Sequence, residues 1–294
     1  MDIEQIEFKS KGQICRGDYY ISENPNGKVI VMGHGFAAER GFSLDKFALP
    51  FCESGFNFLV FDYRCFGDSD GDISQLVSIK MRIADWESAV QYAKTRSKEN
   101  KNIILWGLAL SAGHTINLAA KDDEIIGIMA TTPLVSGFGA ILNMRILSVL
   151  CLTFHGVLDV VKRLIGLSPH RIPMVSKDNK LCILANSYKD YMSLITDPKS
   201  TWKNSVPASI VLELPFYNPI LVASKVECPA LLIGGINDEL APCRYAKKAA
   251  SKMPIGEYVE LDCNHFEPVS GHAFSDALGY QLKFLDSIVS IKNV

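Results

Sequence analysis

An apolar run leads directly into a cluster of small residues at positions 103–114. The run Ile103–Trp106 predicts a buried strand, and the small residues that follow predict a sharp turn into a helix. Such a turn needs a covered sheet behind it and a closely packed helix after it. The segment therefore predicts an α/β fold with a chemically important position at the tip of the turn.

Two positions compete for that tip. In the first alignment Gly107 opens a G-x-S-x-G-like turn and Ala109 stands where the serine belongs. In the second, residues 109–113 form a looser A-x-S-x-G motif and Ser111 is the nucleophile. We favour the first, because it begins the turn directly after the apolar run and keeps a glycine beside the tip. The methyl group of Ala109 cannot attack a carbonyl, so we expect the chain to bind substrate better than it turns substrate over.

Apolar runs alternate with helical patterns along most of the chain. The first two predicted strands alternate as an antiparallel pair, and the later ones are apolar runs separated by helical segments. Such connections are right-handed crossovers and imply a mainly parallel sheet with helices on both faces. The predicted strands are 6–10, 14–21, 28–32, 56–61, 103–106, 125–130, 230–234 and 257–261.

About ninety residues interrupt this alternation, and they are rich in apolar positions compatible with helices. We expect residues 1–133 and 226–294 to form the core and residues 134–225 to form a helical cap over the carboxyl ends of the strands. Within the cap, the apolar side chains predicted to contact substrate are Phe138, Ile141 and Leu142.

Composition excludes several classes of partner. The 30 basic and 32 acidic residues give a net charge of −2, without the basic face that nucleic-acid binding needs. The segment Ile146–Val161 is apolar, but it is interrupted by His155 and Asp159 and is shorter than the roughly 20 residues of a spanning helix. We therefore expect no nucleic-acid partner and no integral membrane segment.

The eight cysteines show neither a C-x-x-C pair nor zinc-ligand spacing. The first twenty residues show no basic segment followed by an apolar stretch, as a secretory signal would. We expect reduced thiols, a cytoplasmic location, and a site without a metal ion or cofactor.

Two loops after predicted strands carry the residues for acid–base chemistry. Asp238 follows the strand at 230–234, and His265 follows the strand at 257–261. Because the carboxyl ends of parallel strands meet at one edge of the sheet, both can approach position 109 as the acid and base of a triad. Glu239 is the alternative acid.

A third loop can stabilise negative charge. Gly33-His34-Gly35-Phe36 follows an apolar strand, where this architecture places one oxyanion donor. We assign the backbone N–H groups of Phe36 and Leu110 to the oxyanion hole. The remaining histidines are expected to be structural: His34, His114, His155, His170 and His272.

These motifs resemble the capped α/β-hydrolase superfamily over nearly the whole chain. Residues 62–69 (DYRCFGDS) resemble its D-x-R-G-x-G-x-S segment, with Cys65 in place of glycine. Residues 106–114 (WGLALSAGH) resemble the W-G-x-S-x-S-G-G-H elbow of a branch with esterases, thioesterase-like enzymes and polyketide acyltransferases. The resemblance implies a nucleophile position at Ala109, an acid at Asp238 and a base at His265.

The resemblance implies a serine hydrolase or acyltransferase acting on an ester or thioester of a hydrophobic, polyketide-like acyl chain. Because Asp238, His265 and the oxyanion turn are all retained, we favour a deliberate serine-to-alanine change at 109 in an otherwise competent enzyme. Two alternatives stay open: a natural, non-catalytic ligand-binding protein, and a carbon–carbon hydrolase or cyclase that uses the same triad. The acyl chain, its acceptor and the oligomeric state are not specified by the sequence.

Overall fold

Eight strands form one sheet in the computed structural model of the chain, which describes residues 1–97, 102–178 and 180–291. The strands are β1 (Asp2–Ser10), β2 (Gln13–Ile21), β3 (Val29–Gly33), β4 (Asn57–Phe61), β5 (Ile103–Leu108), β6 (Ile125–Thr131), β9 (Ala230–Gly235) and β10 (Gly256–Leu261). Their spatial order is β1-β2-β4-β3-β5-β6-β9-β10. The elbow strand β5 therefore lies at the centre of the sheet.

The direction of the strands follows the pattern of their side chains. β1 and β2 pair antiparallel and alternate between exposed and buried residues near the sheet edge. Strands β3 and β5 are buried at every position and pair parallel, as expected for strands covered on both faces. The antiparallel opening pair and the mainly parallel sheet are as predicted.

Helices cover both faces of the sheet. They are α1 (Asp45–Glu53), α2 (Ile79–Arg96), α3 (Leu110–Ala119), α8 (Cys243–Ala250), α9 (Glu267–Ser270) and α10 (Phe274–Ile291). α1 contacts α10, and α2 contacts α3, so the helices form two layers with the sheet between them. This confirms the predicted fold class.

The chain between β6 and β9 contains less helix than its composition suggested. Its elements are α4 (Gly137–Ile141), α5 (Ile146–Leu164), β7 (Arg171–Ile172), α6 (Tyr188–Ser193), β8 (Val206–Pro207), α7 (Ile210–Glu213) and three 3₁₀ turns at 214–216, 219–221 and 223–225. Irregular segments join them, and side chains satisfy their backbone groups. The Asn204 side chain, for example, accepts hydrogen bonds from the N–H groups of Met174 and Val175. The cap boundaries at 134 and 225 stay a prediction.

The apolar segment that raised the membrane question forms α5. Its Asp159 is fully buried and accepts hydrogen bonds from the N–H groups of His170 and Ser209, at 2.8 and 2.9 Å. These contacts attach one side of the helix to the rest of the chain. Within the described residues, no helix combines the length and the apolar character needed to cross a membrane.

Candidate active site

Four loops at the carboxyl ends of β3, β5, β9 and β10 border one cavity of about 980 Å³. Phe36, Ala109, Asp238 and His265, one from each loop, all line it. Parallel strands bring their carboxyl ends to the same edge of a sheet, where ligands of open α/β folds bind. The structure thus places these predicted residues around a common space.

The backbone at the tip of the elbow is strained. Ala109 has φ 54° and ψ −114°, a region that side chains other than glycine rarely adopt. Its N–H donates to the carbonyl of Thr131 at 3.0 Å, and its own carbonyl accepts from the N–H of Leu134 at 3.0 Å. Strain of this kind costs about 1–3 kcal/mol and persists only where the surroundings enforce it. Here both hydrogen bonds come from the chain at the end of β6.

Gly107 allows the helix to pack closely on the strand. A Cβ atom at this position would lie 2.6 Å from the Cα of Ala112, closer than real contacts allow. The strand therefore continues through Gly107 to Leu108, and the turn has its tip at Ala109. This geometry agrees with the first of the two sequence alignments.

Ser111 lies inside the protein rather than at the cavity. Its side chain is fully buried, and its Oγ is 2.7 Å from the hydroxyl of Tyr63. Trp86 also donates its Nε1–H to Ser111 Oγ at 3.0 Å. These bonds and the buried position leave Ser111 without access to a substrate carbonyl.

Asp238 and His265 form a hydrogen-bonded pair, and each is only 6% exposed. The Nδ1–H of His265 donates to Asp238 Oδ2 at 2.7 Å, because an ionised carboxylate can only accept. Asp238 Oδ1 accepts from the N–H groups of Leu240 and Ala241 at 2.9 and 2.7 Å. The imidazole is thereby fixed with Nε2 as its remaining nitrogen. Glu239, the alternative acid, is exposed and its carboxylate accepts from the side chain of Asn186.

The loop that carries His265 is fixed by its neighbour Asn264. The side-chain oxygen of Asn264 accepts from the N–H of Phe266 at 2.9 Å, and its amide donates to Asp190 of α6 at 3.1 Å. The adjacent Cys263 is buried, and burial raises the pKa of its thiol to about 12. Since the thiolate is the nucleophilic form, the raised pKa makes Cys263 a poor nucleophile.

The two residues whose backbone N–H groups are predicted to form the oxyanion hole both lie at the cavity. Leu110 is the first residue of α3, where the helix provides no carbonyl partner for its N–H. Phe36 lies on the loop after β3, and both residues line the cavity. Backbone N–H groups at such positions can stabilise a developing oxyanion, and the assignment of these two to the oxyanion hole stays a prediction.

Two side chains that no sequence motif marks hold the Phe36 loop. Arg82 donates to the carbonyl of Gly35 at 2.9 Å from a fully buried position, where its guanidinium also lies over the ring of Tyr63. The hydroxyl of Tyr191 donates to the carbonyl of Phe36 at 3.1 Å. Tyr191 lies on the short helix α6, which has no periodic pattern long enough to be recognised in the sequence.

The other histidines have partners outside the Asp238–His265 pair. His34 and His114 are fully buried, and burial lowers the pKa of each imidazole well below its usual range. The hydroxyl of Tyr217 lies 2.7 Å from Nδ1 of His114. His155 and His170 contact each other at 2.7 Å, and His272 is exposed. These positions are compatible with the structural roles predicted for them.

Of the three predicted substrate contacts, only Ile141 lines the cavity. Phe138 and Leu142 are 59% and 63% exposed and do not line it. The two residues are four positions apart on a helical segment and therefore share a face, which in α4 points away from the cavity. The sequence pattern identified apolar positions but could not tell which face of a five-residue helix meets the ligand.

The cavity wall includes residues that no sequence pattern singled out. Residues 180–186 form an irregular wall segment, and Ser148 contributes from the start of α5. Three cations, Arg145, Lys180 and Arg244, also lie on the wall. The described residues bring together no group of three or more His, Cys, Asp or Glu side chains that could hold a metal ion.

Known proteins resemble this chain over most of its length. The family model described as "Serine aminopeptidase, S33" matches residues 24–259. Quorum-quenching protein AidA of Acinetobacter baumannii is 31% identical over 294 residues, which cover 98% of this chain and 95% of AidA.

Two solved structures have the same architecture. DcsB, in complex with its substrate analogue, superimposes with a TM-score of 0.84 and 21% identity, covering 98% of this chain and 100% of DcsB. The α/β hydrolase GrgF of Penicillium sp. sh18 gives a TM-score of 0.82 and 23% identity, covering 99% of this chain and 100% of GrgF. GrgF is also described as a polyketide transferase, and in sequence it is 27% identical over 177 residues, 60% of this chain and 58% of GrgF. These likenesses confirm the predicted fold.

Proposed function

Since the chain belongs to the serine aminopeptidase S33 family of α/β-hydrolases, we propose that it binds an ester or thioester of a hydrophobic acyl chain in the cavity beside Ala109. The nucleophile position of its acyl-transfer site is 109, with Asp238 and His265 as acid and base. Residues 134–225 act as a cap that closes the acyl end of this cavity. The relatives share the α/β-hydrolase scaffold and an acyl-type chemistry.

The observation that carries the proposal is the convergence of a strained elbow and an oriented imidazole on one cavity. Asp238 fixes His265 through Nδ1 at 2.7 Å, which leaves Nε2 for the cavity. Ala109 holds the positive φ of 54° that presents its side chain at the tip. A backbone that tolerates this strain is typical of functional sites.

With serine at 109, the reaction would proceed by acyl transfer. His265 Nε2 removes the hydroxyl proton while Oγ attacks the substrate carbonyl, and the resulting oxyanion accepts from the N–H groups of Phe36 and Leu110. The protonated imidazole then donates its proton to the departing alcohol or thiol. Water or another acceptor, deprotonated by the same nitrogen, releases the acyl group.

With alanine at 109, the reaction does not proceed beyond substrate binding. The methyl group has no proton to give to His265 and no lone pair to attack with, whereas the donors at Phe36 and Leu110 are backbone groups unaffected by the change. The chain as it stands therefore retains the recognition part of the site and at most a residual rate.

The cavity and the relatives support this substrate class. The wall combines apolar side chains such as Ile141, Leu181 and Leu184 with a few polar groups, as expected for a small-molecule site. AidA is described as quorum-quenching and GrgF as a polyketide transferase. We place the apolar acyl chain along this wall and the carbonyl carbon beside position 109.

The first experiment tests whether residue 109 is the nucleophile position of the site. The Ala109→Ser variant should react with a fluorophosphonate probe, with the label found on residue 109 by mass spectrometry, and the unchanged chain should not react. Adding His265→Ala to Ala109→Ser should abolish the labelling. Labelling of the unchanged chain at Ser111 would overturn the assignment.

A second experiment tests binding without chemistry. The unchanged chain should bind the octanoyl thioester of N-acetylcysteamine in a calorimetric titration. Ile141→Glu, which puts a charge on the cavity wall, should weaken binding at least about tenfold. Phe138→Glu, on the exposed face of the same helix, is the matched control and should bind normally.

Ala109 itself favours a second candidate, a natural binding protein that holds an acyl ligand without turning it over. In that case Ala109→Ser restores neither labelling nor esterase activity, while the thioester still binds. Labelling of Ala109→Ser would show that the catalytic geometry is intact, and it would favour the acyl-transfer proposal over this candidate.

A further inference from the structure

The exposed face of α5 is apolar along its whole length. Seven large side chains on it are between 47% and 79% exposed: Ile146, Leu147, Leu150, Phe154, Val157, Val161 and Leu164. No charged residue lies among them, and the smaller exposed residues on this face are Cys151 and Thr153. Monomeric proteins rarely leave so continuous an apolar surface in water.

The spacing of these side chains indicates the shape of the partner. Leu147, Leu150, Phe154, Val157, Val161 and Leu164 follow one another at intervals of three, four, three, four and three. This is the a/d repeat of 3.5 residues, in which each side chain inserts between side chains of a second helix. A helix of 19 residues is about 28 Å long, enough for more than two heptads.

The opposite side of α5 is firmly attached to its own chain. Asp159 is hydrogen-bonded to the backbone of residues 170 and 209. A Cβ at Gly156 would lie 2.6 Å from the side chain of Val211, so helix and chain are in close contact there. The apolar face is therefore presented by a fixed helix, and folding of this chain leaves it uncovered.

We propose that this face, which we call the α5 seam, pairs with the α5 seam of a second copy across a two-fold axis. A seam that carries the a/d repeat is self-complementary, as an isologous interface requires. Its flanking positions hold Cys151, Thr153, Leu158 and Val160, so two copies meet without like-charge repulsion.

A membrane surface is the competing occupant, and the seam fits it less well. Helices that lie on membranes combine an apolar face with a strongly charged opposite face. The opposite face of α5 instead packs against the protein through Leu152, Gly156 and Asp159. Its lysine and arginine residues are confined to the two ends of the helix, at Arg145, Lys162 and Arg163.

The test is the molecular mass of the full chain in solution. Sedimentation equilibrium over a wide concentration range should give a dimer. The double substitution Leu150→Glu/Val157→Glu should raise the dimer dissociation constant at least about 100-fold, since it buries carboxylates in the seam. Leu49→Glu/Ile255→Glu alters two equally exposed apolar residues elsewhere, and this control should remain dimeric.

A charge-swap experiment distinguishes pairing from unfolding. Leu150→Lys/Val157→Lys should also be monomeric alone, but mixing it with the glutamate variant should restore a heterodimer, because opposite charges then meet across the seam. A wild-type chain that stays monomeric at all concentrations overturns the proposal, as does a glutamate variant that stays dimeric. A monomeric chain that floats with vesicles of phosphatidylcholine and phosphatidylglycerol also overturns it, and assigns the seam to the membrane.

Discussion

The two sides of the candidate site are built to different degrees of completeness. On one side, Asp238 and His265 are hydrogen-bonded to each other, and the carboxylate is further held by two backbone N–H groups. On the other side, Ala109 has the backbone of a nucleophile elbow without a side chain that can react. The difference shows that the geometry of the tip depends on Gly107 and the end of β6 rather than on a hydroxyl group.

The largest expected effect comes from completing the nucleophile side. Ala109→Ser should raise kcat/KM for p-nitrophenyl esters by about 10⁴-fold or more, because the dyad and the oxyanion donors then act together with a nucleophile. The measurement is initial rate against substrate concentration for both chains. A gain that survives the addition of His265→Ala would show that the new serine acts without the dyad, and the comparison between the two sides would fail.

The next largest effect is expected from weakening the hydrogen-bonded pair of Asp238 and His265. In the Ala109→Ser background, Asp238→Asn should lower kcat by about 10³-fold, since an amide does not hold His265 in the tautomer with Nε2 free to accept a proton. Glu239→Gln in the same background is the matched control and should change kcat little, because Glu239 is exposed and bonded to Asn186. Equal losses of kcat in the two variants would show that the assignment of Asp238 as the acid is wrong.

A third prediction separates a structural histidine from the proposed catalytic one. His114, on the helix after the elbow, is fully buried, and burial lowers its pKa well below 6.5. Below pH 6.5 the unfolded chain therefore binds a proton that the folded chain does not. The free energy of unfolding should fall as pH decreases, by about 1.4 kcal/mol per pH unit for this residue.

Urea unfolding at pH 7.5 and pH 5.5 measures this dependence. His114→Gln should reduce the loss of stability between the two pH values, while His34, which is buried in the same way, retains its own contribution. An unchanged pH dependence in His114→Gln would mean that the imidazole is protonated in the folded state.

The sequence was enough to predict that residues far apart in the chain meet at one cavity, for a physical reason. Residues at strand ends are brought together by sheet topology, so Asp238 and His265 could be located once the strands before them were recognised by their apolar runs. The strand bounds themselves differ from the prediction by only a few residues; the predicted strand 28–32, for example, is Val29–Gly33 in the structure.

The parts that could not be predicted depend on long-range contacts. Arg82 and Tyr191 hold the Phe36 loop through long-range hydrogen bonds. Arg82 is 47 positions from its partner Gly35 in the chain, and Tyr191 is 155 positions from its partner Phe36. Nothing local marks these two residues. The same limit explains Phe138 and Leu142, since their apolar character gives no indication of whether the cavity or the solvent lies opposite.

The smallest expected effect concerns such a long-range contact. Tyr191→Phe removes the hydroxyl that donates to the Phe36 carbonyl at 3.1 Å, while the ring stays packed against Phe42 and Trp202. A lost neutral hydrogen bond costs about 1 kcal/mol, so in the Ala109→Ser background we expect kcat to fall about fivefold with little change in KM. Tyr280→Phe, at a partly exposed residue of α10, is the control. If Tyr191→Phe instead changes KM alone, the hydroxyl affects ligand binding, and the Phe36 loop does not need this hydrogen bond to keep its position.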